Sequence, residues 1–179
     1  MKGKFLSLTA ALGSLLLLST VPTFAQLPTT CSNALLRGDY GVTVDGKIIP
    51  PGANAFVAQQ GVALRHYDGQ GNFSQVDFIM TNGVPAINPN TAVNSNDFRT
   101  NESGTYTVNP DCTGSETLNQ YTKLNTLAAT IQVKFVLANG GTEIHEVVQT
   151  ITAFPGGVET PVTATILANG RKLGPLDGE

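Results

Sequence analysis

From Gly38 onward, apolar and polar residues alternate in short runs, each closed by Gly, Asn, Asp or Pro. This is the pattern of antiparallel strands joined by turns. Tyr40, Val42 and Val44 against Gly41, Thr43 and Asp45 predict a first strand ended by Asp45-Gly46. A Pro-Gly-rich interruption follows, and the second strand is expected from about Phe56 to Tyr67. Asp68-Gly69-Gln70-Gly71 supplies the positive-φ positions of a tight return, and Asn72 to Met80 comes back as the third strand. This hairpin is the clearest element in the chain. Thr81 to Glu102 carries two prolines, six asparagines and little periodicity, so it reads as a long loop, a lid or a surface feature.

Gly104 to Asn109, Ser115 to about Lys123, Leu127 to Ala138, Glu143 to Phe154 and Val158 to Ala168 complete a set of about eight strands. Helical periodicity is confined to Ser32 to Arg37, where Ser32 is placed to cap a short turn and Gly38 to stop it. A meander of that strand count closes on itself to remove its edges. The expected fold is therefore all-β: a single antiparallel up-and-down barrel of about eight strands with a short N-terminal helical turn. Such a barrel is just wide enough to be filled by side chains or to hold one small ligand.

The first 25 residues differ from the rest. Lys2 and Lys4 precede an uncharged apolar run from Phe5 to Val21, and small residues stand before a cut after Ala25. That is the form of a secretory signal peptide. The expected organisation is a leader over 1–25, an N-terminal segment with the helical turn over 26–37, the barrel over 38–168 and a fraying tail over 169–179. Of 10 basic and 13 acidic residues, Lys2 and Lys4 leave with the leader, so 8 face 13 and the net charge is −5. A nucleic-acid partner is excluded on this balance. No later apolar stretch approaches the ~20 residues of a spanning helix, so no transmembrane segment is expected after cleavage. The protein is expected to be exported, periplasmic or extracellular. Cys31 and Cys112 are the only cysteines, and in an oxidising compartment they are expected to pair.

Two stretches carry a resemblance: Arg65-His66-Tyr67-Asp68-Gly69-Gln70-Gly71-Asn72-Phe73, and Gly104-Thr105-Tyr106-Thr107-Val108-Asn109-Pro110-Asp111-Cys112-Thr113-Gly114. Both resemble a group of small exported bacterial proteins whose shape is similar to the allene oxide cyclase and dirigent barrels among the calycin-like folds. The resemblance spans most of residues 31 to 168 and includes the early and central cysteines. It implies a calycin-like barrel, and it allows an oligomer, since dirigent-like barrels often form trimers. No catalytic residue of the plant cyclases matches a position here.

Candidate chemistry is sparse. His66 and His145 are the only histidines, and a strand sends neighbours to opposite faces, so His145 and Glu146 cannot cooperate directly. His66 shares a face with Val62 and Leu64 and is expected to point inward. Asp68-x-Gln70-x-Asn72 begins like a calcium loop, but Phe73 and Ile79 stand where that loop needs Gly and Glu, so it reads as a turn. No metal or cofactor is expected.

Three functions remain open. The first is a binding module for a small apolar molecule, lined by Val62, Leu64, Val76, Phe78, Ile131, Val133 and Phe135. These residues form the core instead if the barrel is solid, because alternation looks the same in both cases. The second is a cyclase-like enzyme using His66, Tyr67 or Glu146 in a confining cavity. The third is a structural or interaction protein of the cell envelope working through outward faces rich in Thr, Gln and Asn.

Overall fold

The structure, a computed structural model, describes residues 30–91 and 93–174. Eleven strands follow one 3-10 turn, Asn33–Leu35: β1 Arg37–Ile49, β2 Val57–Asp68, β3 Asn72–Thr81, β4 Val84–Pro85, β5 Ile87–Asn88, β6 Val93–Asn94, β7 Arg99–Val108, β8 Thr113–Tyr121, β9 Leu127–Ala138, β10 Glu143–Ala153 and β11 Thr160–Lys172. β4 to β6 are two-residue pieces of the long loop. The other eight form a closed antiparallel barrel, in which every long strand pairs with its sequence neighbours and β11 closes onto β1. Closure leaves the barrel no unpaired edge.

An even number of strands in a meander puts both chain ends at the same end of the barrel. The tight turns after β2, β7 and β9 lie there too, and a segment running from Cys31 to Leu36 crosses it. The Cys31–Cys112 disulfide joins that segment to the turn between β7 and β8. The Val108 amide donates to Asn33 Oδ1 at 2.7 Å, and the Tyr106 hydroxyl donates to the Leu36 carbonyl at 2.8 Å. Leu36 is fully buried and acts as a plug. Beneath it Tyr67 packs edge-on against Tyr40 and Tyr106, with ring centroids 5.3 and 5.0 Å away, and against Phe73 at 5.4 Å. This end is sealed by aromatic packing.

The larger inner rings need backbone to lie against. A Cβ on Gly104 would stand 2.1 Å from the Thr117 carbonyl and 2.5 Å from the Phe73 ring; one on Gly114 would stand 2.2 Å from the Phe135 ring. Both glycines are therefore there for close approach.

Several sequence expectations need new boundaries. Asp45-Gly46 does not turn: β1 runs through it to Ile49, because a Cβ at Gly46 would meet the Thr165 carbonyl at 2.2 Å and glycine lets β11 approach. The fourth barrel strand starts at Arg99, inside the expected loop. β11 continues beyond Ala168 to Lys172, since β1 starts at Arg37 and offers partners for the extra residues; the Leu173 amide reaches the Asp39 carbonyl at 2.9 Å. The proposed leader lies outside the described residues, and no described helix is long and apolar enough to cross a membrane.

Candidate functional site

The opposite end of the barrel is open. Its rim consists of the connections β1–β2, β3–β7, β8–β9 and β10–β11, and it encloses a space of about 790 Å³. The long loop joins the rim through its asparagines. Asn90 Nδ2 donates to the Tyr121 carbonyl, the Thr100 amide donates to Asn90 Oδ1, and buried Asn88 reaches the Asp97 carbonyl. Asn90, read as a loop marker, is thus the loop's attachment to β7 and β8, and Asn88 ties the loop to itself.

Inside the barrel, between the mouth and the aromatic seal, lies a cavity of about 250 Å³. Pro51, Arg99, Gln120 and Ala153 border both spaces. One wall is aliphatic, with Val44, Ile131, Val148, Ile151, Val162 and Ile166. The charged lining residues are Arg65, Asp77, Arg99 and Glu116 on β2, β3, β7 and β8, together with Glu146 on β10 beside the aliphatic wall.

These charges form two linked groups. Arg65 Nη1 donates to Glu116 Oε1 at 2.6 Å, to Glu146 Oε1 at 2.7 Å and to the Tyr67 hydroxyl at 2.8 Å. Its Nε donates to Gln75 Oε1 at 2.8 Å, and the Tyr67 hydroxyl donates to Glu116 Oε2 at 2.9 Å. The guanidinium also lies 5.1 Å from the centre of the Phe73 ring, so the network sits directly on the aromatic seal. Nearer the mouth Arg99 grips Asp77 through both carboxylate oxygens, and Gln75 and Gln120 each donate to Glu102, at 2.9 and 2.8 Å. Gln75 therefore connects the two groups.

Burial sets the electrostatics, because a carboxylate without water loses its charged form. Burial pushes the Glu116 carboxyl up to about 7; Arg65 opposes the rise and Glu146 adds to it. Glu102 also reaches about 7 through burial, with Asp77 adding and Arg99 opposing. Burial alone would lower the Arg65 guanidinium, but Glu116 and Glu146 outweigh it and hold that group well above its ordinary value. Burial likewise holds the Tyr67 phenol well above its ordinary range.

The sequence candidates divide between the two faces of the wall. Ile131, Val133 and Phe135 of β9 point inward, the first two onto the cavity and Phe135 into the seal. Val62 and Leu64 point outward, 48% and 44% exposed. Val76 and Phe78 share that outer face, Phe78 lying against Phe98 at 6.0 Å. The inward ring expected from the β2–β3 hairpin is thus reversed: its outer face is the apolar one, and Ala63, Arg65, Gln75 and Asp77 face in. His66 goes outward with Leu64; its side chain is 61% exposed and its Nδ1 lies 2.7 Å from Asp39 Oδ1. His145 is also on the outside, beside Asn169 at 2.9 Å. Tyr67 and Glu146 are inside, both on Arg65.

Asp68 takes the backbone amides of Gln70, Gly71 and Asn72 on one oxygen, which together with the Asn72 side chain holds its carboxyl down to about 2. It caps a turn. The site residues that sequence reasoning passed over are Arg65, Glu116, Glu102, Gln75, Asp77 and Arg99. Neither a scan against protein-family models nor a search of curated proteins finds a match to this chain.

Proposed function

We propose that this is an exported binding protein that takes up a small amphipathic molecule through the open end of its barrel. The observation that carries the reading is the 250 Å³ cavity with one aliphatic and one charged wall. Ligand sites are mostly apolar hollows with a few convergent polar groups, commonly in the mouths of β-barrels, and this volume lies just below their usual ~300–1,000 Å³. A barrel stabilised by its core alone has no need of a void beside five ionised or ionisable side chains. The ligand is amphipathic rather than simply apolar, because Arg65, Asp77, Arg99, Glu116 and Glu146 interrupt an otherwise mostly apolar lining. The disulfide and the apolar leader-like start support export, since such bridges persist in oxidising compartments.

The test is native mass spectrometry of the protein recovered from its own host's periplasm or medium, beside Ala153→Trp. Ala153 borders both cavity and mouth, so an indole there closes the passage. A one-to-one small-molecule adduct in the wild type that is missing from the variant is expected. A bare wild-type mass, with no uptake of hexane-sized amphiphiles, overturns the reading.

A second reading, a catalyst resembling the allene oxide cyclase group, draws on one observation: Tyr67, Glu116 and Glu146 converge on Arg65 beside the apolar wall. A carboxyl that exchanges its proton near neutrality is suited to acid–base work. Chemical conversion of the extracted adduct on incubation with fresh protein distinguishes the catalyst from the carrier.

A further inference from the structure

Two features of the charged wall narrow the ligand class. The first is the charge count. Arg65 and Arg99 are enclosed with Asp77, Glu102, Glu116 and Glu146, and of these six side chains only Arg99 exceeds a tenth exposed. Two guanidiniums face four carboxyl groups, so with all four ionised the interior is two positive charges short, a deficit that protons on Glu102 and Glu116 meet near neutrality and that a bound cation can meet above it. Buried charge is tolerated only when it is matched.

The second is an unused acceptor. Both oxygens of Glu116 are engaged, by Arg65 and Tyr67, and both oxygens of Asp77 are engaged by Arg99. Both oxygens of Glu102 are held by Gln75 and Gln120. Glu146 differs: Oε1 accepts from Arg65, and Oε2 has no hydrogen-bond partner among the described residues although the side chain is only 2% exposed. No fully enclosed side-chain oxygen or nitrogen in the described structure lacks a partner, so Oε2 must border open space. The open space that Glu146 borders is the cavity.

Resting on the binding reading above, we infer that the ligand is a small organic ammonium ion: its cationic head donates to Glu146 Oε2, and its apolar body lies against the aliphatic wall formed by Ile131, Val148, Ile151, Val162 and Ile166. An ammonium supplies in a single group a donor to this open carboxylate oxygen and a positive charge, whereas the other open acceptor on the cavity, Gln120 Oε1, is neutral. A charge-assisted hydrogen bond of this kind is roughly twice as strong as a neutral one. An alcohol supplies the donor without the charge. A carboxylate supplies neither a donor nor a positive charge and adds a fifth acid to the site, although Arg65 Nη2 and Arg99 Nη1 have no hydrogen-bond partner among the described residues.

The experiment titrates the purified, disulfide-intact protein at pH 8 with hexylammonium, hexanol and hexanoate, three probes of one chain length, by ligand-observed NMR or calorimetry. Hexylammonium is expected to bind at least tenfold more tightly than hexanol, with hexanoate weakest. Glu146→Gln keeps an acceptor for Arg65 while removing the charge, and is expected to reduce the ammonium-to-alcohol ratio to below threefold. Equal binding of hexylammonium and hexanol, or tightest binding of hexanoate, overturns the ammonium assignment and leaves the cavity reading standing. If none of the three binds wild type any better than Ala153→Trp, the cavity reading fails and the assignment with it. The wild-type series decides between these outcomes even where Glu146→Gln does not fold.

Discussion

Replacing Arg65 by methionine removes the one cation that serves both Glu116 and Glu146. The substitution leaves an unbranched apolar chain to cover Phe73, so lost packing is limited, but it strands two carboxyl groups whose side chains are 0% and 2% exposed. Four donated hydrogen bonds are lost with it, to Glu116, Glu146, Tyr67 and Gln75. Breaking a buried ion pair by deleting one partner costs about 3–5 kcal/mol, because an uncompensated charge stays behind. Arg65→Met should therefore cost about 4 kcal/mol at pH 7.5, a large share of the ~5–15 kcal/mol that holds a domain of this size.

The cost should depend on pH in a defined direction. Without Arg65, which opposes the rise, the buried Glu116 carboxyl in the folded barrel holds its proton to higher pH than in the unfolded chain. Folding then takes up protons, and the variant gains stability as pH falls. At pH 5 the deficit relative to wild type should shrink to roughly 2 kcal/mol, as Glu116 becomes a neutral hydrogen-bonding acid. Removing the stranded charges does the same without acid: Arg65→Met combined with Glu116→Gln and Glu146→Gln should return to within about 2 kcal/mol of wild type. Urea unfolding followed by circular dichroism and tyrosine fluorescence, with the disulfide intact, measures all three proteins. A loss below about 1 kcal/mol at pH 7.5, or one that is the same at pH 5, would show that Arg65 acts by packing on Phe73 and that the charge argument is wrong.

Four further outcomes are expected. Replacing both cysteines with serine should lower the unfolding free energy by roughly 4.5 kcal/mol on the chain-entropy model, since the bridge closes a separation of 81 residues; a loss under about 1 kcal/mol in the same urea assay would contradict it. Gly104→Ala should cost about 1–3 kcal/mol through its clash with the Thr117 carbonyl and the Phe73 ring, and an unchanged midpoint would mean that the strands yield there. Wild-type stability should fall as pH rises from about 4.5 to about 7 and level off above, because Glu102 and Glu116 hold protons in the folded barrel that the unfolded chain has released; Glu116→Gln should flatten that slope, and stability rising through the window would reverse the assignment. Leu64→Ser on the outer wall should change stability by no more than about 0.5 kcal/mol, whereas Leu118→Ala inside should cost about 2–5 kcal/mol, a contrast that comparable losses would erase.

The strands and the barrel could be read from the chain because turns are written in local chemistry. Asp68-Gly69 returns β2 onto β3, and Asn139-Gly140-Gly141 returns β9 onto β10, each where the alternation stops. Asp45-Gly46 carries the same signal without turning, because the requirement there is tertiary: β11 passes where a Cβ would stand. Alternation divides each strand into two faces, and apolarity was then used to choose the inner one. On β9 that choice holds, since Ile131, Val133 and Phe135 oppose Gln132 and Lys134. On β2 and β3 it inverts, because the interior is where the charges are needed and the outer face carries Val62, Leu64, Val76 and Phe78.

A better indicator of the inner face was present at the strand ends. Large aromatics at the sealed end must go inside whatever the middle of the barrel contains, and period two then carries their face along the strand. Tyr67 puts Arg65 inside, and Phe73 puts Gln75 and Asp77 inside. Tyr106 does the same for Glu102, and inward Leu118 brings Glu116 and Gln120 with it, as Ile144 brings Glu146. Every member of the buried network except Arg99 shares the parity of a core residue in its own strand, and Arg99 is displaced by the irregularity between Gln75 and Asp77 where β3 pairs with β7. Polar residues that recur in phase with core aromatics on several strands of a closed barrel therefore mark an interior used for more than packing. The test of that rule in this chain is whether Glu146, with its open oxygen, discriminates among ligands.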